Sequence, residues 1–122
     1  MSRNHEQLRV FREAHELAIA VYQQSQGFPK DEWFGLRSQV RRAAVSIPCN
    51  IVEGNARETS RDYLRFLHIA LGSSCELDHL MSLVRELNMT SRSDWETLQE
   101  RCKGVSRQLQ RLIRSLSENS RN

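Results

Sequence analysis

The segment RRAAVSIPCNIVEG, residues 41–54, favours an α-helix but carries a proline at position 48. Its two alanines and its apolar residues at helical spacing predict a buried helix face. Proline within a helix removes a backbone hydrogen bond and crowds the carbonyl four residues earlier, at a cost of about 3 kcal/mol. We therefore predict that the helix bends at Pro48 and continues, with Ser46, Asn50 or water satisfying the freed carbonyl of Ala44.

Periodic apolar residues predict two helices in the first half of the chain. The first ends at Gly27 and Pro29, and the second begins near residues 30–31. Gly54 and Asn55 can both adopt the left-handed conformation that terminates helices, so the second helix is predicted to end there. The apolar stripes comprise Phe11, Ala14, Leu17, Ala18, Val21, Tyr22 and Ser25 in the first helix, and Trp33, Leu36, Val40, Ala43, Ala44, Ile47 and Ile51 in the second.

Two further helices are predicted in the second half of the chain. Thr59 or Ser60 can cap the third helix, and Asp62 can reach back toward its free amides. The segment SDWE, residues 93–96, is a capping box that predicts the start of the fourth helix. Their stripes comprise Tyr63, Phe66, Leu67, Ala70, Leu71, Leu77, Leu80, Val84 and Leu87 in the third helix, and Trp95, Leu98, Cys102, Val105, Leu109, Leu112 and Leu116 in the fourth.

Four helices of similar length joined by short loops predict an all-α fold, an antiparallel up-down-up-down four-helix bundle. Residues 1–122 are long enough for one domain with its own core. The fourth helix has a narrow coiled-coil seam that leaves Ile113 off-register, and the third helix is apolar over a broad arc. We therefore expect a second apolar surface on these helices that faces another copy of the chain.

The composition excludes several classes of protein. No apolar run approaches the roughly 20 residues of a membrane span, and the N-terminus lacks the apolar core of a signal peptide, so we expect a soluble cytoplasmic protein without a membrane partner. Cys49, Cys75 and Cys102 are widely spaced and odd in number, which predicts reduced thiols. A net charge of +3 and a pI near 9.1 permit nucleic-acid binding.

Arginines recur at helical spacing in three rows and are the candidate nucleic-acid-binding residues. Aligned guanidinium groups match the geometry of a phosphate backbone. The alternative is that the arginines lie on solvated helix faces, where their charge is balanced by acidic residues such as Glu53, Glu58 and Asp62. The third row is the least balanced, since between residues 101 and 122 only Glu118 is acidic. No aromatic stacking platform or phosphate-binding loop is evident. The rows are Arg37, Arg41 and Arg42; Arg57, Arg61 and Arg65; and Arg107, Arg111 and Arg114.

An ordered series of unusual features lies between residues 8 and 87: F-P, F-G-L, R-R-A-A, S-I-P-x-N-I-x-E-G and F-L-x-I-A-x-G-S. With this series the sequence resembles the four helix bundle proteins of intervening sequences in bacterial 23S ribosomal RNA genes. The resemblance implies a small bundle that assembles as a ring-like homo-oligomer, a pentamer. Related proteins that accompany reverse transcriptases in diversity-generating retroelements imply a basic surface that binds RNA or DNA.

The resemblance also marks the family-motif residues of this chain, which are Ser46, Pro48, Asn50, Glu53 and Gly54. The sequence departs from the family pattern beside them, with a cysteine at position 49 in place of a small residue such as serine, and a valine at position 52 in place of alanine. Two interpretations stay open. Asn50 and Glu53 bond to neighbouring backbone or to the next helix, or the bend exposes them to a partner or adjacent subunit.

The histidines do not predict a metal or cofactor site. A di-iron bundle needs two Glu-x-x-His motifs, and this chain has one, from Glu76 to His79. His68, Cys75 and His79 share one side of the third helix, but His68 is about 10 Å from Cys75 along the helix axis, too far for one tetrahedral site. We therefore predict no metal and no cofactor.

The segment RDYLRFLH, residues 61–68, suggests an enzymatic alternative. It is similar to the Arg-polar-x-His pattern of HEPN-type ribonucleases, in which His68 would act as general acid or base while Arg61 steadies the phosphate. Our main prediction is a protein without catalytic residues, a self-assembling factor that associates with nucleic acid or serves as a scaffold. A HEPN-like ribonuclease and an adaptor for another protein are the alternatives.

Overall fold

The computed structural model describes the backbone of residues 2–121 and the side chains of residues 5–118. The predicted domain, residues 1–122, includes Met1 and Asn122, which lie outside the described residues. Short 3₁₀ turns at Ser25–Gly27 and Lys30–Glu32 connect the first two helices. The four helices are α1 (Ser2–Gln24), α2 (Leu36–Asn55), α3 (Ser60–Glu86) and α4 (Arg92–Arg121).

The helices pack in a closed cycle. Each helix contacts the helix that follows it in the chain, and α1 also contacts α4, so α2 and α4 lie on opposite corners. Short connections make successive helices antiparallel. This arrangement confirms the predicted all-α, up-down four-helix bundle.

The stripe of α4 forms one wall of the core, as predicted. All seven of its members, from Trp95 to Leu116, are buried, and the ring of Trp95 lies 5.4 Å from the ring of Phe28. Ile113 is also buried, with 9% of its surface exposed. The expectation that Ile113 belongs to a second, outward apolar surface was therefore wrong, because the buried face of α4 is wider than its narrow seam.

The predicted start of the second helix was too early. Residues 30–32 form a 3₁₀ turn, and α2 begins at Leu36, whose amide donates to Glu32 Oε1 at 3.1 Å. Gly35 leaves room for this carboxylate, since a Cβ at that position would lie 2.7 Å from Glu32 Oε1. Trp33 is consequently partly exposed on the connection and does not belong to the core stripe.

The ends of α3 and α4 show how local hydrogen bonds set helix boundaries. Thr59 caps α3, accepting from the amide of Asp62 at 3.1 Å, which confirms the predicted cap at Thr59 or Ser60. Asn88, with φ of 54°, ends α3 in the left-handed conformation. The capping box at residues 93–96 was wrong, since α4 already begins at Arg92 and its first backbone bond runs from Trp95 to the carbonyl of Ser91.

Gly54 is helical, and its role is close packing. No glycine among the described residues has a positive φ, so the prediction that Gly54 terminates α2 through a left-handed conformation was wrong. A Cβ on Gly54 would lie 2.8 Å from Phe66 Cβ and 3.0 Å from Tyr63 Cδ1. The missing side chain therefore lets the end of α2 approach the start of α3.

Polar side chains also join α3 to α4. Gln99 is buried, and its Nε2 donates to Asp78 Oδ1 at 2.7 Å and to Ser82 Oγ at 2.9 Å. Arg85 donates to Gln99 Oε1 at 2.5 Å, so both ends of the amide are bonded. These directional bonds fix the relative height of α3 and α4, which apolar contacts alone leave free to slide.

A second polar contact lies nearer the middle of the same helix pair. The Ser74 and Ser106 hydroxyls are 2.7 Å apart, and Cys102 Sγ donates to the Ser74 carbonyl at 3.2 Å. Burial raises the pKa of Cys102 to about 12. The thiol therefore stays protonated and serves as a small core residue.

Candidate nucleic-acid and subunit interfaces

The family-motif residues Ser46, Pro48 and Asn50 lie within a continuous helix. α2 runs unbroken through the buried Pro48. Asn50 Nδ2 donates to the Ser46 carbonyl at 2.8 Å and to Ser46 Oγ at 3.0 Å, and Ser46 Oγ lies 2.7 Å from Ser73 Oγ on α3. Asn50 thus reaches the carbonyl of Ser46, whereas the sequence had suggested that of Ala44. These contacts agree with the structural interpretation of Ser46 and Asn50.

Glu53 differs from the rest of the motif because it is exposed. Its carboxylate pairs with Arg57 at 2.9 Å, one turn later along the chain. It also borders an apolar depression between α1 and α2. Glu53 is therefore accessible to a partner, while Gly54 packs against α3.

That depression, the α1–α2 groove, has a volume of about 600 Å³ and a mainly apolar lining. Ile19 from α1 is 47% exposed, and Val52 from α2 is 52% exposed, although both are large aliphatic residues. The bundle therefore has an outward apolar surface, on a different pair of helices from the one expected. The groove is lined by Phe11, His15, Ala18, Ile19, Tyr22, Gln23, Gln26, Val45, Pro48, Cys49, Val52 and Glu53.

The nine candidate arginines lie in three separate regions. The row at positions 37–42 is at the start of α2, whereas the row at positions 57–65 follows the opposite end of that helix. α2 has 20 residues, which corresponds to a length of about 30 Å. The third row lies on α4, diagonally opposite α2. A single chain therefore does not bring the three rows together on one surface.

The row that follows α2 is partly engaged within the protein. The guanidinium groups of Arg57 and Arg65 each lie 4.7 Å from the ring centre of Phe66, and Arg57 also pairs with Glu53. Arg61, between them, is exposed. Among the described side chains, this row is the one of the three in which a carboxylate pairs with an arginine.

The row on α4 is free of such contacts. Arg107, Arg111 and Arg114 are exposed, and none forms an ion pair with a carboxylate among the side chains of residues 5–118. Their spacing of four and three residues places them along one side of the helix. They form a short basic ridge on the outside of the bundle.

The row at the start of α2 belongs to a cluster of arginines and aromatic rings that sequence reasoning missed. The guanidinium of Arg37 lies 4.8 Å from the Trp33 ring centre, and that of Arg41 lies 4.5 Å from the Tyr22 ring centre. We call this cluster the corner patch. Its members are Tyr22, Trp33, Phe34, Arg37, Arg41 and Arg42, which line a depression of about 640 Å³ together with Gln26 and Ser38.

Arg41 is the fixed member of the corner patch. Its Nε donates to Ser25 Oγ at 2.8 Å, and its Nη2 donates to the Tyr22 carbonyl at 2.9 Å. Burial, followed by the positive charge of Arg37, lowers the pKa of Arg41. Arginine remains charged despite such a shift, so two like charges are held one helical turn apart.

The residues weighed for catalysis and metal binding are exposed on α3. Arg61 and His68 are seven residues apart on one continuous helix, about 10 Å along its axis. His68, Cys75 and His79 are all solvent-exposed. Among the described residues, no group of three or more His, Cys, Asp or Glu is placed to hold a metal ion. No described helix has both the length and the apolar character needed to cross a membrane.

Comparisons with known proteins agree with this geometry. The chain is similar to a protein of unknown function from the S23 ribosomal protein family of Bacteroides thetaiotaomicron, known from a crystal structure, at 20% identity and a TM-score of 0.83. The match covers 89% of this chain and 98% of the other, and it shows a shared fold. No curated protein matches the sequence. A family model described as 23S rRNA-intervening sequence protein matches residues 6–111, and the chain therefore belongs to that family.

Proposed function

We propose that this protein is a non-enzymatic, self-associating bundle that binds nucleic acid through its surface arginines. The observation that carries the proposal is the basic ridge on α4, where three exposed arginines have no ion pair with any described carboxylate. Unpaired guanidinium groups along one side of a helix attract a line of phosphates, and each contact releases counterions. A phosphate backbone is the anion that supplies such a line.

Self-association strengthens the electrostatic argument. A net charge of +3 on one chain is modest, but a ring of identical subunits repeats each basic ridge around its circumference. A five-membered ring, as the family resemblance implies, would carry five copies of the α4 ridge. The assembly would then bind a long nucleic acid more tightly than one protomer does, because its sites act together.

The α1–α2 groove supports self-association. Contiguous exposed side chains such as Ile19, Val45 and Val52 are unfavourable in water and typical of protein–protein contacts. We assign this groove to a second copy of the chain. In a ring, each subunit would offer its groove to a different surface of its neighbour, which is the heterologous type of interface.

Charge-neutralising variants of the ridge test the proposal. The triple variant Arg107→Gln, Arg111→Gln and Arg114→Gln should weaken duplex binding and flatten its salt dependence by up to about 0.9 logarithmic units for each phosphate that is no longer bound. The matched control is Arg9→Gln, Arg12→Gln and Arg92→Gln, which removes the same charge elsewhere. Equal effects of the two triple variants, or no binding by the wild-type protein, would overturn the proposal.

A further inference from the structure

We infer that the corner patch binds unpaired bases of single-stranded nucleic acid, with a base stacked on Phe34 and the adjoining phosphates held by Arg37 and Arg42. This inference rests on the proposed function and names the form of nucleic acid that one region recognises. It assigns a role to a residue that the fold leaves unused, since Phe34 lies on the connection before α2.

Phe34 is the most exposed large apolar residue among the described side chains, at 97% of its surface. The ring borders a depression of about 640 Å³ that has room for a planar group. Aromatic side chains in such positions form stacking platforms for nucleobases, because every base has a flat π-face. Phe34 therefore supplies the apolar half of a nucleotide site.

The surrounding arginines supply the cationic half. Arg37, Arg41 and Arg42 line the depression, and no acidic residue is among its lining residues. None of the three pairs with a carboxylate among the side chains at positions 5–118. The nearby Glu32 is already engaged in capping α2 through the Leu36 amide. Burial, and after it the positive charge of Arg37, lowers the pKa of Arg41, and a bound phosphate would offset the repulsion between these two guanidinium groups.

The patch is also held open before any ligand arrives. Trp33 Nε1 donates to the Phe28 carbonyl at 3.2 Å, and both Lys30 and Arg37 place their cationic groups over the Trp33 ring. Arg41 is tied to the end of α1 by its two hydrogen bonds. These contacts fix the floor of the depression, which lowers the conformational entropy that Trp33, Arg37 and Arg41 lose on binding.

Single strands fit this patch better than the other macromolecules that could meet it. In a duplex the bases are stacked on one another, so Phe34 would find no free base face. An apolar surface of a second copy would cover Phe34 but would leave three unpaired arginines buried, at a considerable desolvation cost. Free bases joined by phosphates satisfy the ring and the cations together.

Fluorescence anisotropy with labelled oligonucleotides tests the inference. The probes are oligo-deoxyuridine and oligo-uridine of about 12 nucleotides, which differ only in the ribose hydroxyl, and a duplex of the same length. Phe34→Ala should weaken binding of the single strands roughly tenfold, without changing the salt slope and with little effect on the duplex. Leu8→Ala, which also truncates an exposed apolar residue but on α1, is the matched control and should bind as the wild type does.

The double variant Arg37→Gln and Arg42→Gln should behave differently from Phe34→Ala. It should lower the salt slope for single strands by about 0.7 for each phosphate that is no longer held. If the variants lose affinity for the two single-stranded probes to a similar extent, the patch recognises bases and phosphates. If the wild type prefers oligo-uridine, the patch also contacts the ribose hydroxyl. Either result supports the inference, because both need the ring and the arginines.

Three results would overturn the inference. The first is that Phe34→Ala and Leu8→Ala bind the single strands with the same affinity. The second is that Phe34→Ala weakens binding of the duplex as much as binding of the single strands. The third is that Phe34→Ala lowers the oligomeric mass together with the affinity, which would make Phe34 a subunit contact. In each case wild-type binding to nucleic acid would leave the proposed function standing. Absence of binding by the wild-type protein to every probe would refute both.

Discussion

Substitution of Gly54 tests whether the close packing of α2 on α3 stabilises the fold. Gly54→Ala places a methyl group 2.8 Å from Phe66 Cβ and 3.0 Å from the Tyr63 ring, so the helices must separate or the rings must move. We expect a decrease of about 1–3 kcal/mol in the free energy of unfolding, measured by urea denaturation. Gly72→Ala is the matched control, since a Cβ at position 72 would have no atom within 4 Å and helix propensity favours alanine. A gain in stability at both positions would contradict the account.

The cysteines should differ in reactivity. Cys75 is exposed, whereas Cys102 is buried and has a pKa of about 12, so an alkylating reagent at pH 8 should label Cys75 in the folded protein and Cys102 only after unfolding. Peptide mass spectrometry measures both sites in one sample. Labelling of Cys102 as fast as Cys75 in the folded state would show that the α3–α4 core opens readily.

The same pKa shift predicts a pH dependence of stability. In the unfolded chain the Cys102 thiol ionises near its ordinary value of about 8.5, so the unfolded state loses the proton first. The contribution of Cys102 to the stability of the folded state is therefore fully present below that pH and declines as the pH rises toward about 12. Chemical denaturation across this pH range should show that the free energy of unfolding declines less in Cys102→Ala than in the wild type. Equal declines would contradict the assignment.

At the scale of elements, the polar contacts of Gln99 should hold α4 in register on α3. Gln99→Ala removes the partner of Asp78, Ser82 and Arg85 in a buried position, so we expect a decrease of about 2 kcal/mol or more in unfolding free energy. Gln110→Ala, on the exposed side of the same helix, is the control and should be nearly neutral. Similar effects of the two substitutions in thermal or urea denaturation would show that the network does not stabilise the pair.

The helices were predictable to the extent that their buried faces repeat regularly. The predicted stripe of α4 is buried at all seven positions, because one face of this helix meets the core along its whole length. The connection between α1 and α2 was not predictable in this way. Trp33 fits a helical spacing with Leu36, but the helix begins only at Leu36, whose amide donates to Glu32 Oε1, and this leaves Trp33 outside the core. Gly54 was likewise misread, because close approach of α3 is invisible in a single sequence.

At the scale of the whole molecule, the α1–α2 groove should control assembly. We expect the wild type to be an oligomer in light scattering at micromolar concentration, and Val52→Glu, which places a charge in the groove, should reduce its mass to that of a monomer. Ile69→Glu is the matched control, since Ile69 is a β-branched residue on α3 that is 42% exposed. A monomeric wild-type protein, or equal dissociation by both variants, would contradict the assignment.

The surface was only partly predictable from the sequence. The arginine rows follow from spacing alone, so all nine could be named, but their separation into three regions depends on the order in which helices pack. The corner patch joins Tyr22 from α1 to Arg37 and Arg42 from α2 through a connection whose conformation was predicted incorrectly. An outward apolar surface was expected on α3 and α4 because Ile113 departs from the seam and α3 is apolar over a broad arc, yet Ile113 is buried.

The most direct test of the central claim is a titration of a labelled fragment of structured ribosomal RNA with the purified protein over a series of salt concentrations. Each sample is divided between a native gel and a denaturing gel. We expect intact RNA that is shifted at low salt and released at high salt, with log affinity falling linearly with log salt concentration. RNA shortened by the wild type and left intact by His68→Ala, or no shift at any salt concentration, would contradict the claim that this bundle binds nucleic acid without cleaving it.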